Sequence, residues 1–408
     1  MLTSRLKRVL EDDRFFWTLT AWIVGGIAFG KGLMLPNRWS ATQAQVDYSF
    51  GIVRRGLFGQ VVTGPFGLQH YPRFVVASAL ILLVFVSLLV LYTIRSGIEQ
   101  HFGNYQVSAL FFSSYGFTYV ANMIGYFDLI LGSLAIFVLL IRNPRGRFLA
   151  ALPISVIALL IHELFFFIFL PTLILSFLLQ YGRERTGSTA PFRRRSAITM
   201  AALLALVGVV TTACIFLRPS LTEEQVSKMR LRVASRVDFD IKTEFFDVMT
   251  RSATDNAAVM RLWYKQRYWW LANTISLVDF APTLLLLMLI TGKVIRSTPA
   301  LPGWAAWLAT ATALSPLAMH LLGFDAARWN AWVVVMAYLI LLMVCSYSSD
   351  LSIRLTRPWR NAIILAIILN IASGNLLLDR RPDNTYPFFG GSLSLKKLMP
   401  SKITAPAQ

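Results

Sequence analysis

The chain has 408 residues, 56% of them hydrophobic and only 14% charged, with a mean hydropathy of +0.59 and a net charge of +19. Soluble domains carry about 25% charged residues, so an ordinary soluble fold is excluded. Several apolar runs approach the ~20 residues that cross a bilayer, and none shows the ~10-residue alternation of a membrane β-barrel. Both cysteines, Cys214 and Cys345, fall inside apolar runs, which leaves no disulfide framework and no cysteine metal site.

The N-terminus "MLTSRLKRVLEDDRFF" is basic and then acidic, and no small-residue cleavage site follows the first apolar run. That run reads as a retained span. In chain order the apolar segments predict eleven spans, at 15–35, 74–94, 107–123, 127–141, 148–161, 164–181, 197–217, 271–291, 303–322, 330–348 and 361–374. Short connections at 124–126 and 162–163 suggest tight helical hairpins. The fold class expected is all-α, a polytopic helical integral membrane protein. Residues 1–374 read as one transmembrane domain and 375–408 as an extracytoplasmic tail.

The long loop 218–267 interrupts the spans. Its "SLTEEQVSKMRLRVASR" places Thr222 three residues before Gln225, the pattern of a capping box, and Val226, Met229 and Val233 recur at helical spacing. It reads as amphipathic helix lying on the membrane surface. The plainer reading is a solvated cap with no ligand.

Charge fixes the expected orientation. With the N-terminus in the cytoplasm, cytoplasmic segments hold 18 Lys and Arg and the short outer loops hold 5. The positive-inside rule favours that arrangement. "YGRERTGSTAPFRRRS" at 181–196 is its strongest single element, and the basic excess belongs to these loops, not to nucleic acid. Of the 20 acids, 14 then lie outside or toward the outer half of a span.

Four stretches on that outer side carry candidate chemistry. "VDYSFGIVRRGLFGQ" at 46–60 holds Asp47, Arg54 and Arg55; "GYFDLILG" holds Asp128; "IHELFFFIFLP" holds His162 and Glu163; and "HLLGFDAARWNAW" holds Asp325 and Arg328. Ionisable groups near the hydrocarbon are expensive and are candidates for function. Each also has a plainer reading. The arginines anchor at the headgroups, His162–Glu163 caps a buried turn, Asp325–Arg328 is an i, i+3 ion pair, and Asp128 caps a helix. Taken together they predict a polar cavity that opens outward.

A carboxylate beside paired arginines suits transfer from a lipid-linked phosphate. The acid takes a proton from an acceptor hydroxyl and the arginines hold phosphate oxygens. No Walker sequence and no strand-associated G-x-G-x-x-G is present. The acid in the first outer loop and the large amphipathic loop between later spans resemble the GT-C-type glycosyltransferases. The motif "DYSFGIVRRGLFG" with the later "HE" and "DAARW" also looks like membrane proteins of bacterial surface-glycan loci. The resemblance implies a bacterial inner-membrane enzyme that moves a sugar from a polyprenyl-phosphate donor to a glycan or glycolipid acceptor on the extracytoplasmic face. Asp47 then acts as base, Arg54 and Arg55 bind donor phosphate, and His162 and Glu163 line the acceptor side or hold a divalent cation. Asp325 and Arg328 complete the wall, and Asp128 is a further substrate-binding candidate. One histidine with scattered carboxylates is no ligand spacing for a metal. The tail of 34 residues and the single acid at Asp47 depart from the pattern and leave the subclass open. The rival readings are a surface-polysaccharide polymerase, a flippase or transporter, and a passive assembly subunit.

Overall fold

The computed structural model describes residues 13–51, 53–183, 190–216, 221–250, 253–299, 301–323, 325–348 and 352–373. The basic–acidic N-terminal stretch up to residue 12, part of the 181–196 loop and the tail 375–408 lie outside the described residues. Among the described residues the secondary structure is helical, with no strand.

The helices that build the body are α1 (Asp13–Gly32), α2 (Arg38–Gln43), α3 (Tyr71–Arg95), α4 (Gln106–Phe112), α5 (Tyr115–Asn122), α6 (Asp128–Leu140), α7 (Pro144–Ile161), α8 (Leu164–Ile168) and α9 (Leu170–Arg183). They continue as α10 (Ala190–Phe216), α11 (Glu223–Ala234), α12 (Glu244–Thr250), α13 (Ala253–Tyr264), α14 (Arg267–Ser297), α15 (Trp304–Leu314), α16 (Ala326–Tyr347) and α17 (Arg357–Ala372). Five among the described residues are long and apolar enough to cross a membrane: α3, α7, the Arg195–Phe216 part of α10, the Trp269–Ser297 part of α14, and α16. The chain is a helical membrane protein.

All eleven apolar segments contain helix, but several are not single rods. The run 107–123 breaks at Ser113 and Ser114. Ser114 turns extended and accepts the Phe117 N–H as the cap of α5, and every residue of α4 and α5 is buried. An apolar run looks the same whether lipid or protein covers it, so sequence alone reads a span there. The run 164–181 breaks at Phe169, and 303–322 changes from α15 to a 3-10 turn at Ser315–Leu321.

The core is built around α16. Every residue from Ala326 to Cys345 is buried, which fits a helix that is apolar on all faces beyond Arg328 and Asn330 near its start. α14, α15, α9, α5 and α3 pack against it. Trp332 meets Phe85 and Phe169 edge-on at 6.0 and 5.0 Å, and Tyr338 stacks on Phe111 at 3.9 Å. Inside a bilayer, burial against lipid-like neighbours gives little hydrophobic gain, so this close packing and a few buried hydrogen bonds hold the bundle. One such bond sets the end of α17: the Lys31 ammonium donates to the carbonyls of Asn370 (3.1 Å), Ile371 (3.4 Å) and Ser373 (2.8 Å), where a cation meets the negative end of the helix dipole.

Candidate functional site

The stretch 46–60 folds back on itself because two glycines permit it. A Cβ at Gly59 would lie 1.9 Å from the Val46 carbonyl oxygen, and one at Gly56 would lie 2.5 Å from the Tyr48 ring. The Tyr48 N–H donates to Gln60 Oε1 at 3.2 Å. Immediately before Gly56, Arg55 is held at φ 64°, the one non-glycine residue with positive φ among the described residues. The left-handed region costs an ordinary side chain roughly 1–2 kcal/mol, so something must hold Arg55 there. That partner is Glu163, which accepts from Arg55 Nε at 3.2 Å on both oxygens and from Nη2 at 2.5 Å. His162 Nδ1 lies 3.3 Å from Glu163 and accepts the Leu164 N–H at 3.2 Å.

A second buried pair follows. Asp128 opens α6 and is fully buried. It accepts from Arg328 Nε (2.8 Å), from Arg328 Nη2 and from Trp332 Nε1 (2.8 Å). The Arg328 guanidinium lies over the rings of Tyr126 and Trp329, at 4.5 and 4.8 Å. The i, i+3 pairing with Asp325 exists at 3.7 Å, yet it is secondary to the bidentate grip on Asp128. Asp325 also accepts from the Tyr119 hydroxyl at 3.4 Å. Phe127 faces the His162 ring at 6.4 Å and so joins the two pairs.

Asp47 stands apart from both. Its carboxylate accepts the Ser49 N–H at 3.0 Å, Arg236 Nη1 at 3.2 Å, and lies 3.6 Å from Arg232 Nη2. Burial alone would raise its pKa; the Ser49 hydrogen bonds and the two arginines outweigh that and hold it below its ordinary value. The carboxylate forms one wall of a polar cavity of about 120 Å³, shared with Gln45, Gln60, Thr63, Gln69 and Arg236. Arg54 makes no ion pair among the described residues, and its guanidinium sits 4.7 Å from the Phe216 ring at the end of α10.

A cap seals this corner. The Thr222–Gln225 capping box expected from sequence is present and starts α11. Val226, Met229 and Val233 face inward onto Val46, Val53, Phe245 and Phe246. Two polar ties fix the following segment. Asp238 accepts the Tyr71 N–H at 2.8 Å, where α3 begins, and meets His70 Nδ1 at 3.2 Å. The Tyr71 hydrogen bond is the main reason its carboxyl titrates low. The Lys242 N–H donates to the Thr42 hydroxyl at 2.9 Å.

The eight candidates therefore fall into three groups. Arg55, His162 and Glu163 form one knot, with Asp128, Arg328 and Asp325 the next. Asp47 lies outside both and the cavity belongs to it, while Arg54 sits in the field of Glu163 and Arg55 without an ion pair of its own among the described residues. Arg55 does not lie open beside Arg54 as half of a phosphate clamp, because Glu163 occupies it. Sequence reading missed Arg232 and Arg236. Their signal was an i, i+4 spacing at the C-terminal end of α11, with Arg236 in the turn just past its last residue. Among the described residues no cluster of three or more His, Cys, Asp or Glu could hold a metal ion. These features define a helical membrane protein with a shallow acid–arginine pocket beneath an amphipathic cap. No family model matches the chain, and no match was found among curated proteins or solved structures.

Proposed function

We propose that the chain is a membrane glycosyltransferase that moves a sugar from a polyprenyl-phosphate donor to a surface-glycan acceptor. The reading puts it in a bacterial inner membrane with eleven spans, the N-terminus in the cytoplasm, and the 46–60 stretch and α11 outside. One observation carries it: an ionised carboxylate, Asp47, on the wall of a polar cavity, gripped by arginines that are themselves partly exposed.

In the proposed reaction Asp47 accepts the proton of the acceptor hydroxyl. The acceptor oxygen bonds to the anomeric carbon, and the bond from that carbon to the phosphate oxygen breaks. The phosphate leaves with the electron pair and Arg54 meets its charge. Arg232 and Arg236 keep Asp47 ionised and aimed. The glutamines around the cavity offer amide donors and acceptors to sugar hydroxyls.

The test is a profile of surface glycans and lipid intermediates in cells carrying wild type, a deletion or Asp47→Asn. The expected result is a glycan lacking one sugar or branch, with the lipid-monophosphate donor accumulating, in both altered strains. Single repeat units in place of long chains would point to a polymerase. A wild-type profile for Asp47→Asn at normal protein levels would sink the reading.

The buried break between α4 and α5 favours a second reading, because transporters build substrate paths from discontinuous helices. Under it, deletion traps full-length lipid intermediates on the inner leaflet, and Asp47→Asn is tolerated.

A further inference from the structure

α14 carries an acid in the middle of an apolar stretch. Its membrane-crossing part begins at Trp269, and Trp269 and Trp270 are side chains that prefer a membrane interface. Asp279 lies ten residues further on, about 15 Å along the axis at 1.5 Å per residue. The headgroup layer on each side of a bilayer is only about 5–8 Å thick. Asp279 therefore stands in the hydrocarbon.

The donors around it are already used. The charge close enough to act on it is Lys31. The Lys31 ammonium has three N–H groups, and the carbonyls of Asn370, Ile371 and Ser373 accept from it. Asn370 Nδ2 donates to Ser113 Oγ at 3.1 Å and to Thr283 Oγ1 at 2.9 Å, one turn along α14 from Asp279. Asp279 itself has no hydrogen bond and no ion pair among the described residues.

The face beside it is open. Leu271, Val278 and Leu285 repeat every seven residues, and all three are exposed. Asp279 follows Val278, about 100° round the helix, and is half-buried. A carboxylate thus stands at the edge of an apolar strip with the spacing at which two helices pack.

We infer that α14 docks here against a transmembrane helix of another protein, one that carries a lysine or arginine at the depth of Asp279. Charge selects that occupant. An ionised acid in hydrocarbon is expensive, and acids there pair with a cation on a neighbouring helix. Lipid headgroups lie too shallow to serve. A second copy of this chain offers no cation either. A two-fold contact sets Asp279 against Asp279, and among the described residues every Lys and Arg of a spanning helix is buried or lies near a helix end. The contact is separate from the Asp47 pocket and stands whether or not the chain is a transferase.

The experiment uses the full-length protein in phosphatidylcholine liposomes with a synthetic leucine-rich helix of about 25 residues, long enough to span. The helix bears one test residue (lysine, leucine or glutamate) and a benzophenone photoprobe beside it. Illumination should capture the lysine peptide at least tenfold more than the leucine peptide, with the adduct on 271–285 of α14, and the glutamate peptide least. Moving the lysine seven residues toward the opposite leaflet should remove the preference. Asp279→Asn should bring lysine capture down to the leucine level, whereas Leu203→Ala, on an exposed face of α10, should not. Equal capture of the lysine and leucine peptides by wild type overturns the inference whether or not the variant folds, because the acid then rests in lipid without a cation. A lysine preference that survives Asp279→Asn overturns it too. So does loss of the peptide as the protein-to-lipid ratio rises, which gives the face to a second copy.

Discussion

Asp128 and Asp47 are both carboxylates held by arginine, and the environments around them lead to opposite consequences. Asp128 is sealed at the start of α6, with both carboxylate oxygens accepting from Arg328 or Trp332. Its side chain is 0% exposed and that of Arg328 is 10% exposed. Neither charge can find water, so each depends on the other. Asp47 is 16% exposed, and its partners Arg232 and Arg236 are 39% and 47% exposed. Its contacts are longer and single-pronged. Water or a phosphate can replace them at little expense. The first arrangement fixes where helices stand, and the second leaves a charge available for chemistry.

That contrast can be broken most directly at Asp128. Asp128→Ala strands Arg328 among Tyr126, Trp329 and Trp332, and should lower stability by about 3–5 kcal/mol. Thermal unfolding in detergent would measure it. The double variant Asp128→Asn/Arg328→Met should be milder than either single change, and a double variant worse than both would show that the pair is not the unit. Glu163→Gln comes next, at about 2 kcal/mol, because it leaves Arg55 under-satisfied. Arg55→Gly in that background should return about 1 kcal/mol by removing the left-handed strain. If it returns nothing, Glu163 is not what holds the turn.

The smaller effects lie in the cap. Thr222→Ala removes one half of the capping box and should destabilise α11 by about 1 kcal/mol. The readout is roughly fivefold faster amide exchange in that helix alone. Asp47→Asn should change global stability by about 0.5 kcal/mol or less while abolishing the proposed transfer. A large stability loss there would move Asp47 into the same class as Asp128. The pH dependence carries a definite sign. The folded state holds Asp47 below its ordinary pKa, so the stabilisation is present above the ordinary carboxylate range. It fades as pH falls through the depressed folded value. Protease access to α11 should therefore rise on acidification in wild type, and less steeply in Asp47→Asn.

Local features were legible in the sequence, and long-range pairings were not. Helix positions follow from apolar runs, and the α11 cap follows from Thr222 and Gln225 three residues apart. Asp325 and Arg328, neighbours on one turn, were readable as a pair. The stronger partner of Arg328 is 200 residues away, and that of Arg55 is 108 residues away. Nothing in a single chain encodes such pairings, since any of several acids could meet either arginine. The break at Ser113–Ser114 was hidden for a different reason. Hydropathy records how apolar a segment is and not what surrounds it, so a wholly buried broken helix reads as a span. Arg232 and Arg236 were visible as an i, i+4 couple, but charge on an amphipathic helix usually marks its wet side, and here that side faces Asp47.

The 200-residue separation of Asp128 from Arg328 also has a consequence during synthesis. A ribosome adds about 5–20 residues per second, so α6 emerges some 10–40 seconds before its partner exists. Through that interval the nascent chain carries an acid with no counter-ion, and α16, which fills the centre of the bundle, has yet to be made. The early helices have partners in one another, α1 against α4 and α5 and α3 against α6, but the centre of the bundle is still unfilled. Closure is then a late event, completed when α16 arrives with its arginine, and a chain stalled before residue 326 would present quality-control proteases with an open, half-assembled membrane protein.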